Sequence, residues 1–368
     1  MSEALREQLH MIRESAADFS AAYGGPPRAR QISKNGAAWE PGGWKAMAEL
    51  GWMGILVPET AGGLSLGPSA MCVVLEECGR ALLMQPLTAG LVSASVLAEA
   101  MTNSSGAPEV ADMAAKALTA LLTGDGHIVY AEADGGSNTG GGELNLSLVP
   151  DGNTAAQCLV ARGKGADFEL RLLRADVPGL DVSTRSAVDG SGLADMVVKQ
   201  AAWAEAPRLL HGTQGQLAWL RGRGLAWLGD AAYLCGLAEA ALRLALDYMR
   251  VRCQFGAPIG SFQALQHRAA DCHVDVISSH ALVHEAARAW DTPLAAWAAA
   301  AAVHRAAETT LRVTKEAVQF HGAIGFADEH DAGLYLRRAM TVGARHTTAA
   351  LAQLRQDEQR RQASENGK

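Results

Sequence analysis

The stretch RVRCQFGAPIGSFQALQHRAADC, residues 250–272, decides how the C-terminal half of this 368-residue chain folds. A helical pattern ends near Arg250, and a segment containing Gly256 and Pro258 then predicts a reversal of the chain. A new helical pattern begins at Ser261, whose hydroxyl is a typical N-cap group. We therefore predict two antiparallel helices with polar side chains at their turn. These side chains are Arg252, Gln254, Gln263, Gln266 and His267.

Taken alone, the polar turn has two interpretations, a structural one and a ligand-binding one. In the structural interpretation, the arginines at the helix C-terminus complement the helix dipole and the glutamines at the turn are solvated. A second fragment, QFHGAIGF at residues 319–326, favours the ligand-binding interpretation. It interrupts an Ala- and Leu-rich helical segment with two glycines and an alanine, so main chain is left bare beside His321 and Ile324.

Three regions of different composition follow one another along the chain. The pattern is helical as far as residue 125. Short β-type runs separated by Gly, Asp, Asn and Pro then follow, and long helical segments return beyond Pro207. These segments lie at about 216–252, 262–290, 294–319 and 329–356. We predict an α+β protein, mainly α, with an N-terminal helical domain (1–125), a small antiparallel β domain (126–206) and a C-terminal four-helix bundle (207–368).

Composition narrows the class of protein. The formal net charge is −7 and the basic residues are scattered, which argues against a nucleic-acid surface. The most apolar window, 294–303, is shorter than the roughly 20 residues of a membrane span, and the N-terminal segment lacks the apolar run of a secretory signal. The six cysteines form no CxxC pair and no grouping with histidine at zinc spacing. We expect a cytoplasmic protein with reduced thiols, no membrane span and no metal site.

Four stretches together resemble the acyl-CoA dehydrogenase family. The turn reads R-x-Q-F-G-x-P-I-x-x-F-Q-x-x-Q-H from Arg252, and the second fragment extends as A-V-Q-F-H-G-A-I-G-F-x-x-E-H-D-x-x-L-Y-x-R-R-A from Ala317. ELGWMGILVPETAGGLSLG (49–67) and LEECGRAL (75–82) are similar to the first domain of the same family. The resemblance spans nearly the whole chain and keeps the order of helices, sheet and helices.

The resemblance implies FAD as the cofactor. In this family the flavin's diphosphate and adenosine lie across a subunit interface, against the helical hairpin and the glycine turn. Arginine would bind a phosphate oxygen, glutamines would bind neutral parts of the cofactor, and bare main chain would approach the diphosphate. One departure is Ala323, where the family commonly has a second glycine. The cofactor-binding residues implied are Arg252, Gln254, Phe255, Gln263, Gln319, His321, Gly322, Ala323 and Ser137.

The implied reaction is α,β-desaturation of an acyl-CoA thioester, which requires a carboxylate to remove the α-proton. Both positions at which the family carries that glutamate lack it. The commoner one falls at His346, and the alternative falls near Ala226. Asp230, one helical turn beyond Ala226, and His346 itself are candidate catalytic residues, although a carboxylate on a helix surface is more often solvated and a histidine here more often lines a site or an interface.

The β domain departs from the family as well. Its flavin-contacting loop usually reads Ala-x-Thr-Glu-Pro and then Gly-Ser-Asp. This chain has YAEADGGSN at residues 130–138, which retains Glu132 and Ser137 in rough register but not the Thr or the Pro. Contacts with the reactive ring are therefore less well supported by the sequence than contacts with the diphosphate.

Three hypotheses fit these observations. The chain is a subunit of a heteromeric acyl-CoA dehydrogenase whose homologous partner supplies the catalytic base; or a self-sufficient homotetramer with an unusual base; or a member of the family that carries out lyase-type chemistry on an acyl-CoA without oxidation. All three imply an acyl-CoA ligand and a tetramer of like or unlike subunits.

Overall fold

The structure, a computed structural model, describes residues 3–36, 39–103, 108–133 and 143–366. The chain divides into two compact units, each made of segments that are separated in sequence. We call them the helical unit (Met1–Gln31, Pro68–Leu83 and Trp227–Lys368) and the mixed unit (Ile32–Gly67 and Met84–Ala226). The division into three consecutive domains at residues 125 and 206 stays a prediction.

Helices make up most of the described chain, and the predicted class, mainly α with a small β region, is confirmed. The helices are α1 (Glu3–Tyr23), α2 (Pro26–Asn35), α3 (Pro41–Glu49), α4 (Gly67–Arg80), α5 (Leu87–Asn103), α6 (Pro108–Leu122), α7 (Gln200–Glu205), α8 (Gly212–Val251), α9 (Gln263–Arg288), α10 (Ala295–His321), α11 (Ala332–Ala344) and α12 (Thr347–Asn366). The strands are β1 (Ile128–Glu132), β2 (Leu144–Pro150), β3 (Gln157–Arg162), β4 (Glu169–Arg174), β5 (Leu180–Ser186), β6 (Gly192–Val198), β7 (Arg208–His211), β8 (Cys253–Gln254) and β9 (Ala257–Pro258).

The helical unit is built around α8, α9 and α10. Apolar side chains from all three helices form one buried cluster: Ala238, Leu242, Cys272, Val276 and Val313. Among the described helices, α8 alone is long and apolar enough to be considered as a membrane span. However, 94% of its most apolar 18-residue window is buried inside the protein, as in the core helix of a globular fold.

The mixed unit contains two small sheets, with strand orders β1-β3-β4-β7 and β2-β6-β5. One buried apolar cluster in this unit includes Val160 and Met196 from the strands and Trp203 from α7. One pairing differs from the antiparallel prediction, because β1 runs parallel to β3. The intervening strand β2 pairs in the other sheet, so the chain returns to β3 by a crossover instead of a hairpin.

Some element boundaries also differ from the sequence-based expectations. The predicted segment 329–356 is two helices, because α11 ends at Ala344 and α12 begins at Thr347. Ser261 does not cap α9: its hydroxyl donates to the carbonyl of Pro258 at 2.7 Å, and the N-cap residue is Phe262.

Candidate functional site

The two sequence fragments that carry the resemblance come together at one end of the helical unit. The ring of Tyr248, close to the end of α8, lies 4.5 Å from the ring of His321 at the end of α10. The Arg268 guanidinium, in the first turns of α9, lies 5.2 Å from the centre of the Phe320 ring. The hairpin between α8 and α9 and the turn after α10 therefore form one surface, which we call the hairpin–turn surface.

The hairpin is a tight two-strand turn. Strands β8 and β9 pair across Phe255 and Gly256, whose φ angles are +51° and +84°. Positive φ at both central residues is the geometry of hairpin turns of type I′. The N–H of Ile259 donates to the carbonyl of Arg252 at 2.8 Å, which fixes the start of the turn. The Phe255 ring projects outward and is 93% exposed.

The glycine turn after α10 uses its two glycines for different reasons. Gly322 has φ +65° and ψ −141°, a conformation that essentially only glycine adopts. Its N–H donates to the carbonyl of Gln319. A Cβ at Gly325 would lie 2.5 Å from the carbonyl oxygen of Val318, so this position has no room for a side chain. Ala323, where the family commonly has a second glycine, is exposed.

Four of the predicted cofactor residues have side-chain polar groups that form no hydrogen bond within the described parts of the chain. The side chains of Arg252, Gln254, Gln263 and Gln319 are exposed, and none of them donates to or accepts from another residue in the described parts of the chain. A guanidinium with five free N–H groups and three amides can bind phosphate and neutral polar groups. The hairpin–turn surface therefore offers a donor set suited to an anionic ligand.

His321 and Ser137 stand apart from these four. The His321 ring is buried between Tyr248 and His330, with Nδ1 2.7 Å from the carbonyl of Ala317. Burial first, and then the charge of His330, lower the pKa of His321, so its ring is neutral at pH 7. A ligand would reach this residue only through its main chain. Ser137 lies outside the described residues.

The two candidate catalytic residues contact each other. Asp230 on α8 is buried, and its Oδ2 lies 3.0 Å from Nε2 of His346 in the break between α11 and α12. The guanidinium of Arg345 lies 3.7 Å from the same oxygen. Ala226, the other position implied for a base, is fully buried. The carboxylate of Asp230 is thus held by two cationic or potentially cationic groups. Sequence reasoning named Asp230 and His346 separately, and their separation of 116 residues gave no sign of the contact.

Glu132, at the end of β1, is also engaged. The indole N–H of Trp219 donates to its Oε1 at 2.5 Å, and Arg223 lies 3.5 Å from the same atom. Tyr130 packs edge-on against the Trp219 ring at 5.9 Å. Trp219 was not predicted as a site residue, because tryptophans in this chain read as core or interface anchors.

Comparison with known proteins places the chain in a family. Residues 6–125 match the family model of the acyl-CoA dehydrogenase N-terminal domain, and residues 228–344 match that of the C-terminal domain. The curated protein "Acyl-CoA dehydrogenase IpdE2" of Mycolicibacterium smegmatis is 30% identical over 339 residues, which cover 91% of this chain and 93% of that protein.

Solved structures agree with this assignment. A variant of the Tcur3481–Tcur3483 steroid ACAD is 26% identical, with a TM-score of 0.84, and the match covers 98% of this chain and 99% of that one. The ChsE4–ChsE5 complex from Mycobacterium tuberculosis shares the fold at 24% identity, with a TM-score of 0.82, over 98% of this chain and 97% of that one. The chain described here therefore belongs to the acyl-CoA dehydrogenase family.

Proposed function

We propose that this chain is a subunit of an FAD-dependent acyl-CoA dehydrogenase in which a homologous partner subunit supplies the catalytic base. The reaction is the α,β-desaturation of an acyl-CoA thioester. The observation that carries the proposal is the contrast between the hairpin–turn surface and the two positions where the family carries its catalytic glutamate. The hairpin–turn surface keeps free donors, whereas both positions expected to hold a catalytic glutamate lack one.

The hairpin–turn surface fits the diphosphate of FAD. Arg252 would bind phosphate oxygen, Gln263 and Gln319 would bind neutral groups, and the bare main chain at Gly322 would admit the phosphates at short range. Once bound, the flavin ring supplies a hydride acceptor. This chain's own residues bind and orient the charged linker of the cofactor, and such binding needs no titratable group.

The missing base supports a partner. Removal of a weakly acidic α-proton needs a general base that is free to accept it, and in this family the base is a carboxylate. Asp230 does not meet that requirement, because its Oδ2 is in contact with His346 and lies close to Arg345. Two of the similar solved structures have names that pair two chains, Tcur3481–Tcur3483 and ChsE4–ChsE5. An assembly of unlike homologous subunits, a heterotetramer, would supply the glutamate from the other chain.

The name of one relative suggests a substrate class. The Tcur3481–Tcur3483 protein is named a steroid ACAD, so we propose an acyl-CoA derived from a lipid or steroid as the substrate and cytoplasmic degradation of that molecule as the setting.

The contact between Asp230 and His346 favours a second candidate function, a self-sufficient dehydrogenase. A histidine whose ring is oriented by a buried carboxylate can act as a general base. The chain would then form a homotetramer, and His346 would remove the α-proton. In that case the purified chain alone would reduce a dye with acyl-CoA, and His346→Gln would abolish that activity.

Purification distinguishes the two candidates. The heteromer predicts that the chain expressed alone is poor in flavin and inactive, and that co-expression with a homologous chain carrying the family glutamate gives a yellow, active complex. Activity of the chain alone would reject the heteromer. A flavin-containing complex that forms product without reducing the dye would instead indicate lyase-type chemistry.

Arg252→Ala tests the cofactor assignment directly. In the native complex we expect this variant to lose most of its FAD, measured as flavin absorbance per subunit after gel filtration. Arg250→Ala is the matched control, because Arg250 lies at the same helix end but is ion-paired with Asp247 at 2.6 Å. Equal FAD content in the two variants would remove Arg252 from the site.

A further inference from the structure

A second cluster of side chains in the helical unit has ligand chemistry that the proposed function does not use. His280 and His284 are four residues apart on α9 and so lie on the same face of that helix. Glu76 on α4 faces both of them, and its Oε1 lies 3.1 Å from Nδ1 of His280 and 3.0 Å from Nε2 of His284. We propose that Glu76, His280 and His284 form a binding site for a divalent transition-metal ion, Zn²⁺, that joins α4 to α9.

The geometry of the three ligand atoms suits zinc. All of them lie within 4.8 Å of one another. Zinc bonds to imidazole nitrogen and carboxylate oxygen are about 2.0–2.2 Å long, so the edges of a tetrahedral site are roughly 3.3 Å. The two measured contacts of the Glu76 oxygen, 3.0 and 3.1 Å, are close to that edge length. Two histidines and one glutamate are a ligand set that zinc uses, with a fourth position left for water.

The surrounding residues hold the ligands in place. The second oxygen of Glu76, Oε2, accepts from Arg13 at 3.1 Å, which leaves Oε1 directed at the histidines. The other ring nitrogen of His280, Nε2, is buried without a hydrogen-bond partner among the described residues and lies 3.5 Å from Glu239 on α8, which accepts from Arg80 at 2.8 Å. A carboxylate behind a ligating histidine is the usual support of a metal site, since it orients the ring and raises its basicity.

The carboxylates and guanidiniums of the cluster sum to one excess negative charge, which one more cation would balance. Three carboxylates, those of Glu76, Glu77 and Glu239, meet two guanidiniums, those of Arg13 and Arg80. The Glu76 side chain is 1% exposed, and a buried carboxylate in a group with excess negative charge needs a compensating cation. Either a proton on histidine or a metal ion meets this need, and the experiment has to distinguish them.

The packing of α4 against α8 fixes the position of the helix that carries the glutamate ligand. A Cβ at Gly236 on α8 would lie 1.9 Å from the carbonyl oxygen of Glu76, and a Cβ at Gly79 on α4 would lie 2.0 Å from that of Tyr233. The two backbones are therefore in direct contact beside the glutamate ligand. The prediction of no metal site rested on cysteine and histidine at short spacing, whereas 204 residues separate Glu76 from His280.

Metal binding can be measured on the full-length chain, alone or with its partner. After treatment with EDTA and desalting at pH 7.5, we expect one Zn²⁺ per chain on titration against a chromogenic chelator. Bound Co²⁺ should show the visible absorption of a tetrahedral nitrogen–oxygen site. Added Zn²⁺ should raise the melting temperature by several degrees, because it binds only the folded state.

Single substitutions test whether the zinc binding is due to the cluster of Glu76, His280 and His284. His284→Ala should weaken Zn²⁺ binding at least about tenfold and abolish the melting-temperature shift; His284 is partly exposed, so folding should be retained, which circular dichroism checks. His304→Ala is the control, because His304 faces Glu308 four residues on without a third ligand among the described residues. Absence of stoichiometric zinc, or equal affinity in the two variants, would overturn the proposal and leave a protonated histidine as the cation. Because the readout is metal content and not turnover, this result is independent of the proposed dehydrogenase function.

Discussion

His127 shows how burial alone sets the chemistry of a single residue. Its ring is 1% exposed and packs between two tryptophans, at 5.7 Å from Trp39 and 5.4 Å from Trp44. Burial lowers the pKa of His127 from 6.5 to about 4, and a main-chain contact with Thr154 offsets only part of this effect. The residue is therefore neutral in the folded protein at pH 7.

This burial predicts a loss of stability in acid. Between pH 6.5 and 4 the unfolded chain binds a proton at His127 and the folded chain does not, so the free energy of unfolding falls as the pH falls. The size of the effect is roughly 3 kcal/mol. His127→Phe keeps an aromatic ring and cannot be protonated, so its stability should fall less between pH 7 and pH 4.5, measured by urea unfolding. The control is His10→Phe, because the side chain of His10 is 69% exposed. An unchanged pH dependence in His127→Phe would show that other groups cause the loss.

The residues of the candidate site fall into two groups, those whose proximity is predictable from the sequence and those whose proximity is not. Arg252, Gln254 and Gln263 lie within a dozen residues around one turn, so a local pattern places their side chains together. The contact of His346 with Asp230 and the cluster at Glu76 depend on which faces two distant helices turn to each other. One sequence without related sequences contains no record of that pairing.

Among the elements, α4 and α8 approach each other closely, and this approach rests on Gly79 and Gly236. A glycine inside a helix costs about 1 kcal/mol relative to alanine. Glycine is nevertheless required at both positions, because a Cβ there would lie only about 2 Å from a carbonyl oxygen of the other helix.

Gly236→Ala should therefore destabilise the protein in spite of the better helix propensity of alanine. The added Cβ would meet the Glu76 carbonyl at 1.9 Å, and only a shift of α4 relieves this clash. Overpacking of this kind costs about 1–3 kcal/mol or more, seen as a lower midpoint in thermal unfolding. Gly333→Ala on α11 is the control, since its Cβ meets only the end of the Arg337 side chain, at 3.4 Å. Equal midpoints for the two variants would mean that α4 is free to move.

Helices and turns are predictable from the sequence where apolar residues recur at the helical period or where glycine and proline mark a turn. The hairpin between α8 and α9 has Gly256 and Pro258, and its position was predicted to within a few residues. Strand β5 carries a weak sequence signal, because it is almost wholly exposed and its last four residues, 183–186, are all polar. The break between α11 and α12 is hard to predict because Arg345 and His346 are ordinary helix residues, and Gly343 lies inside the last turn of α11 instead of directly after its end.

For the whole molecule, the most telling feature is the apolar surface beside the predicted cofactor residues. Phe255 is 93% exposed, Phe326 77%, Val251 76% and Ile324 51%, and all four belong to the hairpin–turn surface or adjoin it. Several large apolar side chains exposed on one surface indicate a protein contact. Since the proposed function places FAD between subunits, we expect a homologous subunit to cover this surface.

Phe326→Gln tests that expectation. Removing one large aromatic side chain from a buried interface should cost roughly 1.5–3 kcal/mol, which weakens subunit association by about ten- to a hundredfold. Native mass spectrometry and gel filtration over a dilution series would show the tetramer dissociating at higher concentration than the unaltered protein. FAD should be lost in parallel, because its site would be divided between the separating subunits. Met11→Gln is the control, since Met11 on α1 is 58% exposed and lies outside the hairpin–turn surface. If Phe326→Gln and Met11→Gln dissociate alike, the exposed rings do not form the subunit contact, and the cofactor site would have to be completed by this chain alone.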